Sequence, residues 1–157
     1  MQTADNVHIR PAAPTDADAL FRLAAAGVDE TRYALYGVSQ EKLEKLLETA
    51  LQNPGIAVLL VAEKGGAVCG FLYGAVIEHP FCPIVYAASI SFYVEPESRG
   101  IAGRKLVAAF ELAAEARGAQ EIIMATSSGV DAARTVRFYH ALGYTALGAL
   151  MLKHLGE

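Results

Sequence analysis

The sequence has 157 residues, of which 54% are apolar and 19% charged, enough for one domain with a substantial core and too apolar for a disordered chain. A net charge of −4 and a pI near 5.6, with no concentrated basic stripe, argue against a nucleic-acid partner. No apolar run is long enough for a membrane span, and the polar opening MQTADNVHIR lacks the apolar stretch of a secretion signal, so the expected compartment is the cytoplasm with no membrane partner. Cys69 and Cys82 read as two buried, reduced thiols, and no His or Cys pair stands at a ligand spacing, so no metal is expected.

In chain order, Val7 to Arg10 forms a short first strand. Pro14-Thr15-Asp16-Ala17-Asp18 opens a helix, with Thr15 as the capping candidate and Asp18 three residues on. Ala17, Leu20, Phe21, Ala24 and Val28 fall on one helical face. Asp29 to Val38 reads as a loop or a short second helix. Ser39 to Ala50 is the next helix, with Leu43, Leu46, Leu47 and Leu51 on one face and Pro54-Gly55 as its stop. Ile56 to Glu63 and Ala67 to Ile77 are apolar strands joined by the turn signal Lys64-Gly65-Gly66. Glu78 to Pro83 is a connection, and Val85 to Val94 a further strand. Apolar residues on both parities mean that these strands are covered on both faces. Leu106, Val107, Phe110 and Ala113 or Ala114 mark a helix ending near Arg117-Gly118. Glu121 to Ala125 is a short buried strand, Val130 to Leu142 a helix, and Tyr144 to Leu155 the last strand or strand pair. The order β-α-α-β-β-β-α-β-α-β(β) describes a single α/β domain over residues 1–157 (of the α+β type, with a mixed central sheet), whose middle is an antiparallel meander and whose end holds a βαβ unit.

The stretch Val94-Glu95-Pro96-Glu97-Ser98-Arg99-Gly100-Ile101-Ala102-Gly103-Arg104-Lys105-Leu106 runs from a buried strand through a small-residue turn into an amphipathic helix. A helix start has unpaired N–H groups and a partial positive charge, small residues let a phosphate approach the backbone, and Arg99, Arg104 and Lys105 add charge-assisted donors. The chemistry suits a phosphate-bearing ligand; a plain strand-to-helix turn with solvated basic residues has the same composition. No phosphate-loop pattern G-x-x-x-x-G-K-[ST] occurs, which excludes that class of nucleotide hydrolase.

The run V-x-P-x-x-R-G followed by a small-residue turn resembles the acetyl-CoA motif Q/R-x-x-G-x-G/A of the GNAT family of N-acetyltransferases. Farther on, Thr135-Val136-Arg137-Phe138-Tyr139-His140-Ala141-Leu142-Gly143-Tyr144 is similar to the family's A-x-x-F-Y-x-x-x-G-F/Y segment. The interval between the two, the element order and the opening Ile9-Arg10-Pro11-Ala12 also resemble the family, over nearly the whole chain. Two departures stand out. The turn after Gly100 is one residue shorter than usual, so the fourth motif position is Ala102 or Ile101, and the amides facing a pyrophosphate lie somewhere within Ile101 to Lys105. Ala132 stands where an Asn is frequent, which implies either weaker cofactor binding or a different polar group, such as Ser127 or Ser128.

The resemblance implies direct transfer of acetyl from acetyl-CoA to an amine of a small molecule or peptide, in a ternary complex. It places the cofactor on Val94 and Arg99 to Lys105, the oxyanion on a backbone N–H of the strand ending at Val94, and the acid that protonates the leaving thiolate at Tyr139. Tyr139 shares a helical face with Thr135, Phe138 and Leu142, so packing is its other reading. Glu78 is the candidate base and His79 its neighbour on the acceptor side, either of which also reads as a solvated turn residue. Tyr33 and Tyr36 fall in the connection that caps the acceptor in relatives. Ser89, Ser91 and Tyr93 share a strand face and are candidates to line the cleft. Cys69, in mid-strand without a neighbouring His, is not a nucleophile. A homodimer through the apolar C-terminal strand is a further implication. The competing reading is a non-catalytic acyl-CoA-binding or regulatory module of the same fold.

Overall fold

A computed structural model describes residues 6–125 and 130–156. Its elements are β1 (Val7–Pro11), a 3₁₀ turn (Pro14–Asp16), α1 (Ala17–Asp29), α2 (Gln40–Gln52), β2 (Ala57–Lys64), β3 (Ala67–Glu78), β4 (Val85–Val94), a second 3₁₀ turn (Pro96–Ser98), α3 (Ile101–Ala116), β5 (Glu121–Ile123) and α4 (Ala132–Ala141). The sheet order is β1-β2-β3-β4-β5, antiparallel through β4 and parallel between β4 and β5. No helix among the described residues is long and apolar enough to cross a membrane.

The alternation of side chains along the strands splits the core in two. Val58, Leu60, Ala62 and Leu72 face α3, with Leu106, Val107 and Phe110 at its centre. Leu59, Val61 and Phe71 face α1 and α2, meeting Leu20, Leu23 and Leu47. Both faces of the sheet are thus buried, as apolar residues on both parities require. At Lys64-Gly65-Gly66-Ala67 the two glycines take φ of 59° and 81°, and Lys64 pairs Ala67, which closes a two-residue hairpin of the twist that strands favour.

Several details differ from the sequence reading. Asp16, not Thr15, organises the start of the first helix. Its carboxylate accepts from the Ala13 N–H at 2.7 Å and from both terminal nitrogens of Arg10 at 2.7 and 2.9 Å, while Arg10 Nε donates to Glu63 at 3.0 Å. Leu23 joins Leu20 as a buried residue of α1, whereas Phe21 is half-buried. Cys69 is buried but Cys82 is exposed, because it lies in the connection after β3. The strand or strand pair expected over Tyr144–Leu155 is not formed. Residues 144–156 carry no regular structure, and Leu147, Leu150, Met151, Leu152 and Leu155 are exposed. The short β5 offers this segment only three residues of edge, and Gly148 interrupts the run.

The Asp16 cluster has a pH consequence. The hydrogen bonds from Arg10 hold this buried carboxyl below its usual range. A depressed acid stabilises the fold above its unfolded value, near pH 4, and that contribution is lost as pH falls through the lower folded value. The urea midpoint is therefore expected to hold near neutrality and to drop on acidification below about pH 4. Asp16→Asn should lower the midpoint at pH 7 and flatten this acid limb.

Candidate active site

β4 is bonded to β3 along its length, down to the pair Val94–Gly70, but it leaves the register between Ser89 and Ser91, so that Ile90 bulges. On its other edge β4 pairs β5 only through Tyr86, Ala87 and Ala88. Beyond Ala88 the two strands part, with the Ser89 hydroxyl accepting from the Ala125 N–H at 3.0 Å. The edge of β4 from Ser89 to Val94 then faces a cleft of about 520 Å³, well within the size range of ligand sites. The walls are the end of α1 and the loop after it, the first turns of α3, and one face of α4, including Phe138 and Tyr139.

α3 begins at the end of this cleft. Its N-cap is Gly100, with φ 91° and no capping side chain, and the first backbone bond of the helix runs from Arg104 N–H to Gly100 C=O at 3.0 Å. The amides of Ile101, Ala102 and Gly103 precede that bond and have no partner within the helix. Gly100 and Gly103 line the cleft, whereas Ile101, Ala102, Arg104 and Lys105 do not. Lys105 is turned to the far side, its ammonium donating to the Val7 carbonyl at 2.8 Å; Arg104 is exposed.

Gly103 is not required by the protein's own packing. A Cβ there would meet Phe138 at 3.5 Å and Phe92 at 3.7 Å, ordinary contact distances. A glycine inside a helix costs up to about 1 kcal/mol relative to alanine. Gly103→Ala is therefore expected to raise the melting temperature by a few degrees, since about 1 kcal/mol moves it by about 2–8 °C. If a ligand approaches this backbone, the same variant should bind it about tenfold less tightly; a variant both more stable and equally tight would remove Gly103 from the site.

Arg99, also on the wall, is already engaged. Its Nε donates to the Val94 carbonyl at 2.9 Å. Its Nη2 donates to both oxygens of Glu30, at 2.8 and 2.7 Å, and its guanidinium stands 5.5 Å from the Tyr93 ring centre. The Tyr93 hydroxyl donates to the same carboxylate at 3.0 Å. α1 approaches this closely because residue 27 is glycine; a Cβ there would lie 3.0 Å from the Tyr93 ring.

Across the cleft, Tyr139 is 6% exposed. Its ring packs against Phe138 at 5.3 Å and Tyr144 at 5.6 Å between centroids. Burial pushes its phenol up to about 12, so it stays protonated at neutral pH. Arg134, at the start of α4, lines the same wall. Asp131 caps this helix, accepting from the Arg134 N–H at 3.1 Å, and holds φ of 29°, a strained value for a residue with a side chain.

Of the residues singled out in the sequence, the cleft gathers Val94, Arg99, Gly100, Gly103, Tyr139 and Tyr33, together with Ser89, Ser91 and Tyr93. Tyr36 is 75% exposed and lies outside it. Glu78 and His79 are not brought to the cleft: Glu78 pairs Val85 at the opposite end of β4, about 16 Å along the strand from the bulge at roughly 3.3 Å per residue. His79 Nδ1 there accepts from the Phe81 and Cys82 N–H groups. Ala132 also stands outside the lining, and Ser127 and Ser128 lie outside the described residues. The sequence reading missed Glu30 and Arg134, for which no local pattern exists.

This geometry has a counterpart among known proteins. Residues 25–144 match the model of the acetyltransferase (GNAT) family. The chain belongs to that family. Solved structures share the GNAT fold at low identity. Glucosamine-6-phosphate N-acetyltransferase from Arabidopsis thaliana superimposes with a TM-score of 0.75 at 16% identity, over 96% of this chain and 99% of its own. Ribosomal-protein-alanine N-acetyltransferase from Brucella melitensis biovar Abortus 2308 gives 0.74 at 19%, over 96% and 100%. The aminoglycoside acetyltransferase meta-AAC0020 from an uncultured soil metagenomic sample, in complex with sisomicin, gives 0.71 at 20%, over 96% of each chain. No curated protein matches the sequence. The mixed α/β sheet is thus that of GNAT acetyltransferases, whose members typically use acyl-CoA.

Proposed function

We propose that this GNAT chain is an acetyl-CoA-dependent N-acetyltransferase that passes acetyl directly to an amine within a ternary complex. The observation that carries the reading is the parting of β4 from β5, which leaves the β4 edge from Ser89 to Val94 open between an uncapped helix start and the Tyr139 phenol. The residues present fit the cofactor. The free amides of Ile101 to Gly103 and the glycines at 100 and 103 suit a pyrophosphate, and an open strand edge suits the amide-bearing arm. Arg99 and Arg134 supply cationic donors on the wall, and exposed Arg104 one just outside it; Lys105, bound to β1, is the least suited of the basic group.

Acetyl-CoA, when bound, supplies the thioester carbonyl that an amine attacks and the thiolate that leaves. The chain's part is to hold donors on the β4 edge near the bulge, where the developing oxyanion needs them, and to offer the Tyr139 proton to the thiolate. An unperturbed lysine-like amine is neutral in only about one molecule in a few thousand at pH 7, so it must lose a proton before attack. With Arg99 and Glu30 paired as in this structure, the carboxylates of the described lining are both occupied, Glu30 by Arg99 and Asp131 by the α4 cap, and Glu78 is remote. Deprotonation by water along the Ser89–Ser91 hydroxyls is the route that these placements support. Tyr33 borders the acceptor side, and small molecules and peptides both remain within the proposed acceptor class.

Calorimetric titration with acetyl-CoA, followed by thiol detection over a panel of amines, tests this directly. Micromolar binding, weakened by Arg134→Ala, and thiol release with at least one amine are expected. Binding without turnover on any amine would favour the second reading, a non-catalytic acyl-CoA-binding module, which the remoteness of Glu78 and His79 supports. Failure to bind would leave only the fold.

A further inference from the structure

Resting on that reading of the cofactor site, we infer that Glu30 is a latch that must let go of Arg99 before the cofactor phosphates are fully held. Arg99 immediately precedes Gly100, the uncapped start of α3, and lines the cleft with it, yet in this structure its charge is already satisfied. Glu30 takes it with both oxygens, at 2.8 and 2.7 Å, and Tyr93 adds a third hydrogen bond to that carboxylate at 3.0 Å. Glu30 comes from a separate part of the fold, the C-cap just past α1, and the loop that follows it carries Thr31 and Tyr33 on the acceptor side of the cleft. One ion pair therefore ties the acceptor-side loop to the proposed phosphate turn.

The pair is built to be displaced. Arg99 is 34% and Glu30 37% exposed at the side chain, and an ion pair so solvated holds weakly. A diphosphate at the amides of Ile101 to Gly103 carries more charge than one carboxylate and sits on a helix start that favours anions. It competes for the same guanidinium, and it repels Glu30. When the latch opens, Arg99 keeps its Nε bond to the Val94 carbonyl, so the guanidinium pivots in place while Glu30 and the loop are released. The acceptor side then gains a free carboxylate beside Tyr93, a partner for a cationic amine. Cofactor binding thus prepares the amine's side of the cleft, and the protein's own carboxylate holds back the cofactor.

Two substitutions separate contact from charge. Glu30→Gln removes the charge, and Glu30→Asp keeps it but withdraws the carboxylate by one methylene from a pair that closes at 2.8 and 2.7 Å. Acetyl-CoA affinity of the full chain is measured by calorimetry for both and for the unaltered protein. If Glu30 is a latch, both variants bind acetyl-CoA about three- to fivefold more tightly. Tightening in Glu30→Gln alone would overturn the proposal in favour of simple repulsion of the phosphates. Unchanged or weaker binding in both would also overturn it, since Glu30 would then be holding Arg99 in place for the ligand. No binding by any of the three proteins would sink the cofactor reading itself, and the latch with it.

Discussion

Tyr139→Phe is expected to lower kcat about a hundred- to a thousandfold while leaving acetyl-CoA affinity within about twofold, the range typical of losing a positioned general acid. The ring is buried against Phe138 and Tyr144, so phenylalanine keeps the packing. The phenol makes no hydrogen bond with a described residue, so the fold loses no partner when the oxygen goes. What disappears is a proton that burial holds on the oxygen up to about 12. The same burial sets the pH dependence expected of the unaltered protein. A raised phenol stays protonated below that value, so no fall in rate assignable to Tyr139 is expected between pH 6 and about 10. Stopped assays of thiol release across that range, on both proteins, provide the check. An unchanged kcat in Tyr139→Phe would give the leaving thiolate its proton from water and return Tyr139 to packing alone.

Gly74→Ala should carry the largest effect on stability, a loss of about 3 kcal/mol or more by overpacking. Gly74 sits in β3 opposite the β4 bulge. A Cβ there would lie 2.5 Å from the Phe110 ring and 2.6 Å from the Ala88 carbonyl oxygen. Phe110 is fully buried at the centre of the α3 face, so its ring has no free space to enter, and the carbonyl belongs to a bonded strand. The methyl group must push β3 and β4 apart where β4 turns its edge toward the cleft. Urea unfolding measures the stability loss, and acetyl-CoA titration below the transition reads the damage to the site. Phe110→Leu in the same chain should recover part of the stability but not the binding, because the clash with the Ala88 carbonyl remains. A loss under about 1 kcal/mol would mean that the strands at the bulge yield easily.

The sequence discloses what is written in local chemistry. Two glycines between apolar runs dictate the β2–β3 hairpin, and the proline, arginine and glycines from 96 to 103 mark an anion-ready helix start. Phe138 and Tyr139 stand together on one helical turn that reaches the cleft. The remainder depends on contacts between distant residues. Glu30 meets Arg99 across 69 positions, and neither residue type nor spacing announces the pair. The bulge at Ile90 leaves no mark, since Ser-Ile-Ser reads as regular strand. Glu78 was attractive as an acid near a strand end, but an antiparallel register sends that end away from the cleft. The C-terminal run has strand composition and no strand, because a strand also needs a neighbour with an edge to share.

The two sides of the cleft are fastened unequally. β4 is laced to β3 from one end to the other, while β5 is joined to β4 at three residues and its outer edge has no strand beside it among the described residues. Segments with few bonds open at a smaller free-energy cost than the molecule as a whole. The wall made by β5 and α4 is therefore the compliant jaw, and β4 is the anvil. A ligand too broad for the resting cleft would gain entry by displacing that jaw, with the β4 edge left intact.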